Sequence, residues 1–480
     1  MSQKETIPDQ NLDPKDWESM RQLGHQMVDD LIDYWKGIRE EKTWKPIPDE
    51  VKTFLDSPLP EQGKDPHEVY EEFKQYIFPY NKGNVHPRFF AWIQGTGTPL
   101  GSFADLLASG MNPNTTIGEH AAMYVDRQVV NWCKELMNFP SEASGILISG
   151  GSMANITALT VARNSVGVEK IRQKGLKAAS AQLLIYCSVE THSCILKAAE
   201  ILGLGSEGVR KIQVNDRFQL DTTALRTQIE ADLKTGFLPF CIVGTAGTVN
   251  TGAIDPMQEL LEISKEYGLW FHVDGAHGAS AILVPSESHK VKGIERADSL
   301  IWDAHKMLRV PALCTAVLFR NQHHQWNCFH QKGSYVFHDS QVVGIDSMPF
   351  TIECTKSALG TKLYWSFALE GEQAIRDFIA HSFTQAKELY TLLQNHPDFY
   401  CPYPPASNIL CFQYKPEVLT NQEQLALRYE IINSSPFYIT SCEVKGKRYL
   451  RVVLLNPLTQ RSDFIALIKA IEQCAEKALG

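Results

Sequence analysis

The chain has 480 residues, of which 44% are hydrophobic and 21% are charged, which is the balance of an ordinary globular protein rather than a disordered or fibrous one. A chain of this length exceeds one small domain and predicts two or three domains that share a large core. The formal net charge of −9 argues against a general nucleic-acid binder, which would carry a basic surplus.

The eleven cysteines are scattered along the chain, and none of them belongs to a Cys-x-x-Cys pair. The sequence therefore predicts neither a disulfide framework nor a metal site. Residues 1–16 are polar and lack the apolar core of a signal peptide, and no later stretch is long and apolar enough to cross a bilayer. These features predict a cytoplasmic protein with no membrane partner.

The first predicted elements are an amphipathic helix over residues 17–39 and a second helix over residues 66–77, separated by a proline-rich passage. We assign residues 1–85 to an N-terminal helical segment. Because one helix cannot bury its apolar stripe alone, we expect the first helix to pack on the main body or on a second subunit. Its stripe consists of Met20, Leu23, Met27, Leu31 and Tyr34.

Short apolar runs then alternate with helical patterns, which lie at residues 154–164, 222–233 and 256–267. This alternation requires crossover connections, so we expect an α/β domain over residues 86–370 with a mainly parallel sheet. Ligands of such a sheet bind at the carboxyl ends of its strands. The seven predicted strands lie at residues 146–148, 183–186, 211–214, 241–243, 270–273, 300–302 and 316–319.

The remaining residues, 371–480, predict a smaller C-terminal α+β domain. A helical stretch begins at about Gly371, a strand is predicted over residues 449–455, and a last helix is predicted over residues 463–478. The sequence contains no internal repeat or low-complexity tract.

A turn of small residues, 149–155, follows the first strand of the predicted sheet and opens a helix. Backbone N–H groups at such a turn can converge on an anion, and Ser152 adds a hydroxyl group. A Gly-Gly-Ser turn that serves tight geometry alone is the alternative, and it is the more frequent explanation of this motif on its own.

Three further polar residues follow later strands. Asp274 ends an apolar strand, where its carboxylate either pairs with a cation such as a protonated pyridine or caps the next turn. Lys306 follows a strand in apolar surroundings, which should lower the pKa of its amine and suit it to imine formation rather than to a surface role. His192 could lie on a cofactor ring, or be a core histidine or a helix cap.

The glycine turn, His192, Asp274 and Lys306 follow one another along the chain, each after a predicted strand. With these residues in this order, the chain resembles the group II decarboxylases that depend on pyridoxal 5′-phosphate (PLP). That family includes the aromatic amino-acid, glutamate, histidine and cysteine-sulfinate decarboxylases. The resemblance extends from Trp17 to the end of the chain and includes Val85-His86-Pro87-Arg88-Phe89-Phe90, residues 145–163, Ala297-Asp298-Ser299 and Leu450-Arg451-Val452-Val453 with Asn456-Pro457.

This resemblance implies the PLP-dependent transferase fold type I, with a seven-stranded, mostly parallel sheet in the large domain. It also implies a homodimer with shared active sites, in which Lys306 holds PLP covalently and Asp274 keeps the ring nitrogen protonated. His192 would stack on the ring, and Ala276 would pack against the opposite face. The other cofactor contacts that it implies come from Gly151, Ser152, Thr245 and His305.

The substrate suggested by the resemblance is an L-amino acid. Arg451 matches the position that grips the α-carboxylate in glutamate-type members, although an arginine here could instead form a salt bridge between domains. Trp92 stands where aromatic decarboxylases carry an aromatic residue and glutamate decarboxylases carry glutamine, so an aromatic substrate is favoured. Residues 112–116 lack the aromatic shelf of the aromatic decarboxylases, so a glutamate, other acidic or diamino acid substrate stays open.

Two positions depart from the family pattern. Asp303 stands where asparagine is frequent, and we exclude it from the predicted phosphate site because two anions repel each other. His277 stands where tyrosine or tryptophan is common, which leaves the outer contacts of the cofactor open.

Family members use a tyrosine on a loop to protonate the substrate carbon. The corresponding connection lies between Phe319 and residues 354–356, where Tyr335 is the only tyrosine and our favoured donor, with His338 as an alternative. Without a proton donor, the same fold could produce an aldehyde by oxidative deamination. Two further alternatives are a carbon–carbon lyase and a homologue that binds PLP or another metabolite without turnover. The presence of Lys306, Asp274 and His192 together argues against the homologue without turnover.

Overall fold

The computed structural model describes residues 13–165, 170–331 and 346–479. Among these residues, the N-terminal unit ends at His86 and contains three α-helices. The Asp16 carboxylate caps the first helix by accepting from two backbone N–H groups, and Asp65 caps the third helix. The predicted helices at residues 17–39 and 66–77 are confirmed. The three helices are α1 (Trp17–Gly37), α2 (Asp49–Leu55) and α3 (Pro66–Tyr76).

The second unit, which begins at Pro87, is built on one seven-stranded sheet with the strand order β1-β7-β6-β5-β4-β2-β3. The neighbours from β6 to β3 are parallel, whereas β7 runs antiparallel to both β6 and β1. The expected seven-stranded, mostly parallel sheet is confirmed. Its strands are β1 (Ser144–Ile148), β2 (Leu183–Ser188), β3 (Val209–Ile212), β4 (Leu238–Thr245), β5 (Trp270–Asp274), β6 (Ser299–Asp303) and β7 (Thr315–Phe319).

Both faces of this sheet are buried, because successive strand residues enter two different apolar clusters. In β6, Leu300 and Trp302 belong to one cluster, whereas Ile301 belongs to the other. In β7, Leu318 belongs to the first of these clusters and Val317 belongs to the second. Burial on both faces explains why these strands appear in the sequence as continuous apolar runs rather than as alternating patterns.

Helices cover both faces of the sheet, as crossover connections require. The helices predicted at residues 154–164, 222–233 and 256–267 are confirmed. The first of them begins three residues earlier than predicted, because the glycine turn forms its first residues. The helices of this part are α4 (Pro99–Met111), α5 (Ala121–Leu136), α6 (Gly151–Ser165), α7 (Ile171–Lys174), α8 (Cys194–Ile201), α9 (Thr222–Lys234), α10 (Met257–Tyr267), α11 (Gln322–Phe329) and α12 (Leu359–Gln394).

The C-terminal portion adds a four-stranded antiparallel sheet with the order β10-β11-β9-β8, so the predicted α+β character is confirmed. Helix α12 is interrupted at Gly371, whose φ of 70° lies in the left-handed region that favours glycine. A division into two domains at residues 370 and 371 stays a prediction. The elements are β8 (Phe399–Tyr400), β9 (Ile409–Tyr414), α13 (Asn421–Ser434), β10 (Thr440–Val444), β11 (Lys447–Val453) and α14 (Arg461–Leu479).

Across residues 13–165, 170–331 and 346–479, no helix combines the length and the apolar composition needed to cross a membrane.

Gly252 marks a close approach between the turn that follows β4 and the C-terminal sheet. Its φ is +71°, and its N–H donates to the carbonyl oxygen of Thr248 at 2.8 Å. A Cβ atom at this position would overlap Ser407 Oγ and would lie 2.9 Å from Ile409 Cβ. Only glycine allows the two segments to pack at this distance.

We therefore expect Gly252→Ala to lower the free energy of unfolding by about 3 kcal/mol, of which about 1 is left-handed strain and about 2 is overpacking. Gly205→Ala is the matched control, since Gly205 also has a positive φ but a Cβ atom there would meet no other atom within 4 Å. Urea unfolding of the two variants measures the difference. Equal losses in both variants would show that the contact with Ser407 and Ile409 is unimportant.

Candidate active site

A cavity of about 180 Å³ lies where β4, β5 and β6 end and where α6 begins. The carboxyl ends of parallel strands meet at one edge of the sheet, so residues distant in sequence converge there. All eight predicted cofactor-contacting residues line this cavity: Gly151, Ser152, His192, Thr245, Asp274, Ala276, His305 and Lys306.

The glycine turn forms one wall of the cavity. Gly150 has a φ of +98°, and α6 starts at the next residue. A Cβ atom on Gly151 would lie 3.0 Å from Asp303 Oδ2, so a larger residue here would crowd this carboxylate. The free N–H groups of the first turn of α6, together with the exposed Ser152 hydroxyl, form a candidate anion site.

Asp274 is the last residue of β5 and is buried. Its Oδ2 accepts from Asn155 Nδ2 at 3.1 Å, and its Oδ1 accepts from the N–H of Ala276 at 3.3 Å. Burial raises the pKa of Asp274, while Lys306 and the two hydrogen bonds oppose the rise. A cationic ring nitrogen would stabilise the carboxylate further.

A chain of hydrogen bonds behind Asp274 fixes the orientation of the Asn155 amide. Trp270 Nε1 donates to Ser299 Oγ at 2.8 Å, and Ser299 Oγ lies 2.8 Å from His272 Nδ1. His272 Nε2 lies 2.8 Å from Asn155 Oδ1. Burial lowers the pKa of His272 to about 3, so the ring is neutral and can donate from one nitrogen. Because Asn155 Oδ1 is an acceptor, its Nδ2 must face Asp274 as a donor.

Lys306 lies three residues beyond β6, and its Nζ is 2.8 Å from Asp303 Oδ2. The other oxygen of Asp303 accepts from Thr315 Oγ1 at 2.6 Å. The expectation that apolar surroundings lower the pKa of Lys306 is wrong. Burial does act to lower this pKa, but the carboxylates of Asp303 and Asp274 outweigh it, and the pKa of Lys306 is raised.

His305 and Gly95 hold the loop that carries Lys306. His305 Nδ1 lies 2.8 Å from the carbonyl oxygen of Cys314, and its Nε2 lies 3.6 Å from Asp303 Oδ2. The N–H of Gly95 donates to the carbonyl oxygen of His305 at 3.2 Å, and a Cβ atom there would lie 2.6 Å from the carbonyl oxygen of Lys306. The segment around Gly95 therefore packs directly on the lysine loop.

His192 and Thr245 lie on the α8 side of the cavity. His192 is exposed, and its Nδ1 accepts from the N–H of Cys194 at 3.2 Å, so the proton of the neutral ring is on Nε2. Thr245 ends β4, with its Oγ1 3.3 Å from Thr191 Oγ1.

His277, whose role the sequence left open, also lines the cavity. Its Nε2 lies 2.6 Å from Asn408 Oδ1, and Asn408 in turn donates to the carbonyl oxygen of Leu454. Burial lowers the pKa of His277 to about 3, so this ring is neutral and donates to Asn408. His277 thus connects the cavity wall to the C-terminal portion.

The predicted substrate residues lie outside the lining of the cavity. Trp92 is 40% exposed and packs against the rings of Phe89 and Tyr438. Arg451 in β11 is buried; its Nε donates to the carbonyl oxygen of Asn250 at 3.1 Å, and its Nη1 donates to Thr440 Oγ1 at 3.2 Å. Its Nη2 has no hydrogen-bond partner among the described residues.

The predicted proton donor Tyr335, like His338, lies outside the described residues.

Two residues around the cavity, Asn155 and His272, were not predicted from the sequence. A third, Asp303, lines the cavity although the sequence analysis excluded it from the phosphate site. Asn155 follows Ser152 by three residues in a helix, so this spacing placed both on one side of α6. His272 precedes Asp274 by two residues in a strand, which puts their side chains on the same face. Other lining residues that were not predicted are Ile93, Cys194, Gly247 and Val249.

Comparisons with known proteins identify the relatives of the chain. Residues 48–415 match the family described as "Pyridoxal-dependent decarboxylase conserved domain". The aromatic-L-amino-acid decarboxylase of Bacillus atrophaeus is 31% identical over 471 residues, covering 96% of each chain. The cysteine sulfinic acid decarboxylase of Homo sapiens is 27% identical over 496 residues, covering 99% of this chain and 100% of that protein. The crystal structure of mouse CSAD has a TM-score of 0.88 at 25% identity, covering 96% of this chain and 99% of that one.

These matches confirm PLP-dependent transferase fold type I and establish PLP as the cofactor. The cavity residues fit that group. PLP needs a cation-binding acid for its ring nitrogen, a lysine for its aldehyde and a site for its phosphate. Asp274 is a buried acid, Lys306 is an amine in the same cavity, and α6 begins at the cavity with N–H groups that, as at any helix start, have no partner within the helix.

We expect Asn155→Ala to weaken PLP binding about tenfold, the equivalent of one lost hydrogen bond to a charged group. Without the Asn155 donor, the pKa of Asp274 rises further, so less of the carboxylate is charged. Asn164→Ala, near the other end of α6, is the matched control because Asn164 contacts Cys328 instead of the site. PLP dissociation constants, measured by absorbance, test this expectation. An unchanged constant for Asn155→Ala, or the same loss in the control, would contradict it.

Proposed function

The chain belongs to the pyridoxal-dependent decarboxylase family, and on that premise we propose that it converts an aromatic L-amino acid to the amine and carbon dioxide. As a member of this family it is a PLP-dependent carboxy-lyase. The observation that carries the proposal is the convergence of Lys306 and Asp274 in one cavity with the turn that opens α6. A homologue without turnover is disfavoured because the relatives are named decarboxylases.

We assign Lys306 to the covalent attachment of PLP and Asp274 to the ring nitrogen. When bound, PLP supplies an electron sink for the electron pair that remains after carbon dioxide departs. The Asp274 carboxylate sustains this capacity by holding a proton on the ring nitrogen. Lys306, the Ala276 N–H and the Asn155 donor stabilise that carboxylate in a buried position, where charge is otherwise unfavourable.

Gly151, Ser152 and His305 form the proposed phosphate site, and His192, Thr245 and Ala276 form the proposed ring contacts. The N–H groups of a helix start bind anions because they lack partners within the helix and lie at its positive end. The protonated Nε2 of a neutral His192 is free to face a bound ligand, since its Nδ1 is engaged by Cys194.

Arg451 is our candidate for binding the α-carboxylate. A buried guanidinium group normally has a carboxylate partner, but no ion pair of Arg451 exists among the described residues, and its Nη2 is unsatisfied. This arrangement disfavours the alternative of a salt bridge between domains. A substrate carboxylate would supply the missing acceptor.

Trp92 supports an aromatic substrate, as does the name of the Bacillus atrophaeus relative. The main alternative is an acidic amino acid, which the name of the human relative illustrates. Residues 112–116 bear on this choice, because their polar side chains already bond to the chain at residues 354–357. Thr115 Oγ1 donates to the carbonyl oxygen of Ser357, and Thr116 Oγ1 donates to that of Cys354. Fewer of these groups are therefore available for an acidic side chain.

We propose Tyr335 as the donor of the proton that replaces the carboxylate on the substrate carbon, with His338 as the alternative. A hydroxyl group that protonates the substrate carbon leads to the amine. If the carbon is not protonated, it can react with oxygen instead and give an aldehyde. The product therefore reports on whether this donor functions.

We also propose a homodimer. In the N-terminal unit, Leu23 is buried, but Met20, Met27, Val69 and Phe73 are all more than a third exposed. A groove lined by Met27, Val69 and Phe73 lies between α1 and α3. An apolar surface of this kind is typical of a subunit interface. We further propose a cytoplasmic location, which agrees with eleven free thiols.

The experiment that tests the reaction is incubation of the PLP-loaded protein with a panel of aromatic, acidic and diamino L-amino acids. Carbon dioxide, amine, aldehyde and hydrogen peroxide are measured for each. We expect carbon dioxide and the amine in equal amounts, with the highest kcat/KM for an aromatic substrate. A preference for an acidic substrate would overturn the substrate proposal, and aldehyde with peroxide would overturn the product.

Borohydride reduction of the PLP-loaded protein, followed by peptide mapping, is expected to place the pyridoxyl group on Lys306. Lys306→Ala should abolish both the visible absorbance and the label. Recovery of the label on a different lysine would refute the assignment.

Asp274→Asn is expected to retain PLP but to lower kcat by about 100-fold or more, since a neutral amide cannot stabilise a protonated ring nitrogen. Asp298→Asn is the matched control. Asp298 is a half-buried acid beside β5, but its Oδ2 accepts from the N–H of Phe271 at the opposite end of the sheet. Turnover of Asp274→Asn near that of the control would show that a different residue serves the ring.

A further inference from the structure

Asp303 is buried in the wall of the active-site cavity, and its side chain is 2% exposed. It is the last residue of β6, and both of its carboxylate oxygens have polar neighbours, which include His305 Nε2 at 3.6 Å from Oδ2. Oδ1 accepts from Thr315 Oγ1 at 2.6 Å, and Oδ2 lies 2.8 Å from Lys306 Nζ. A buried carboxylate held in this way is stable only with a cation beside it.

We propose that Asp303 is the counter-ion of Lys306: a positioning residue that holds the ε-amino group as an ammonium ion whenever that group is not bonded to the cofactor. This inference rests on the proposed role of Lys306. It gives Asp303 a function in the amine chemistry of the site, separate from phosphate binding.

The surrounding contacts favour Asp303 over Asp274 as this counter-ion. In the described part of the chain, Asp303 is the carboxylate within ion-pair distance of Lys306 Nζ. The Asp274 oxygens instead accept from Asn155 and Ala276. Asp274 therefore remains available to a ring nitrogen while Asp303 holds the lysine. The other titratable groups that face Lys306 or Asp303 are Cys194, His277, His305 and Cys314.

Thr315 gives the carboxylate a fixed direction. Residues 303 and 315 are directly paired in the antiparallel register of β6 and β7. Because the Thr315 hydroxyl occupies Oδ1, the remaining oxygen is directed to Lys306. A neutral amide at position 303 could still accept from Thr315, but it could not act as a counter-ion. This difference separates the charge of Asp303 from its packing role.

The test is the pH dependence of the Lys306 amine in the full-length protein freed of PLP. Trace acetylation at a series of pH values, read by mass spectrometry of the Lys306 peptide, gives the pH at which the amine loses its proton. A nearby carboxylate raises this midpoint, so Asp303→Asn should lower it by about one unit or more. Asp303→Glu, which keeps the charge, should lower it by less.

Asp298→Asn is the matched control, because it removes one half-buried carboxylate just before the opposite end of β6 and should leave the midpoint unchanged. Restored visible absorbance after addition of PLP verifies that each variant is folded. If Asp303→Asn does not fold, Asp303→Ser replaces it, since serine also lacks the charge. An unchanged midpoint in the neutral variant, or an equal fall in Asp298→Asn, would overturn the proposal. The midpoint is measured without PLP, so its outcome is independent of borohydride labelling, which tests the proposed attachment itself.

Discussion

The stabilisation of the buried Asp274 carboxylate, by Lys306 and by hydrogen bonds from Ala276 and Asn155, is the constraint on which the site depends. A carboxylate at the buried end of β5 would take up a proton if nothing stabilised its charge, and a neutral acid could not hold a proton on a pyridine ring. Asn155 can donate because His272 occupies its carbonyl oxygen, and His272 can do so because burial keeps it neutral. The core of the sheet therefore influences the charge state of the cavity through His272, which lies outside the cavity lining.

Two acids in the cavity divide the positive charges between them. Asp274 is bound by neutral donors and is ready for a cationic ring, whereas Asp303 is already paired with an ammonium group. If both acids competed for Lys306, the amine would have no defined position. The separate hydrogen-bond partners of the two acids prevent this competition, since Thr315 orients Asp303 while Asn155 and Ala276 orient Asp274.

Local periodicity predicted the sheet, whereas most of the lining of the cavity was implied by the resemblance to the decarboxylase family. An apolar run followed by a polar residue identifies a strand end, and parallel strand ends converge. The pKa of Lys306 was predicted in the wrong direction, because its sign depends on the distance to Asp303, which no spacing rule supplies. Asn155 was missed for a similar reason. Its amide donates to Asp274, which lies on a strand more than a hundred residues away in the sequence. Trp92 and Arg451 match family positions, but their distance from a substrate depends on side-chain packing that the sequence does not specify.

The reversed direction of β7 has a consequence for how the chain tolerates insertions. Thr315 is the first residue of β7, yet it pairs with Ile148 at the end of β1 and with Asp303 at the end of β6. One reversed strand thus brings the start of a strand into a site otherwise built from strand ends. An extra residue within β7 would shift its register by one and turn the Thr315 hydroxyl to the opposite face of the sheet. The connection before β7 offers no freer place for one, because Met307, Leu308 and Val310 are buried and the carbonyl oxygen of Cys314 lies 2.8 Å from His305 Nδ1. Length variation on either side of Thr315 is therefore incompatible with the active site.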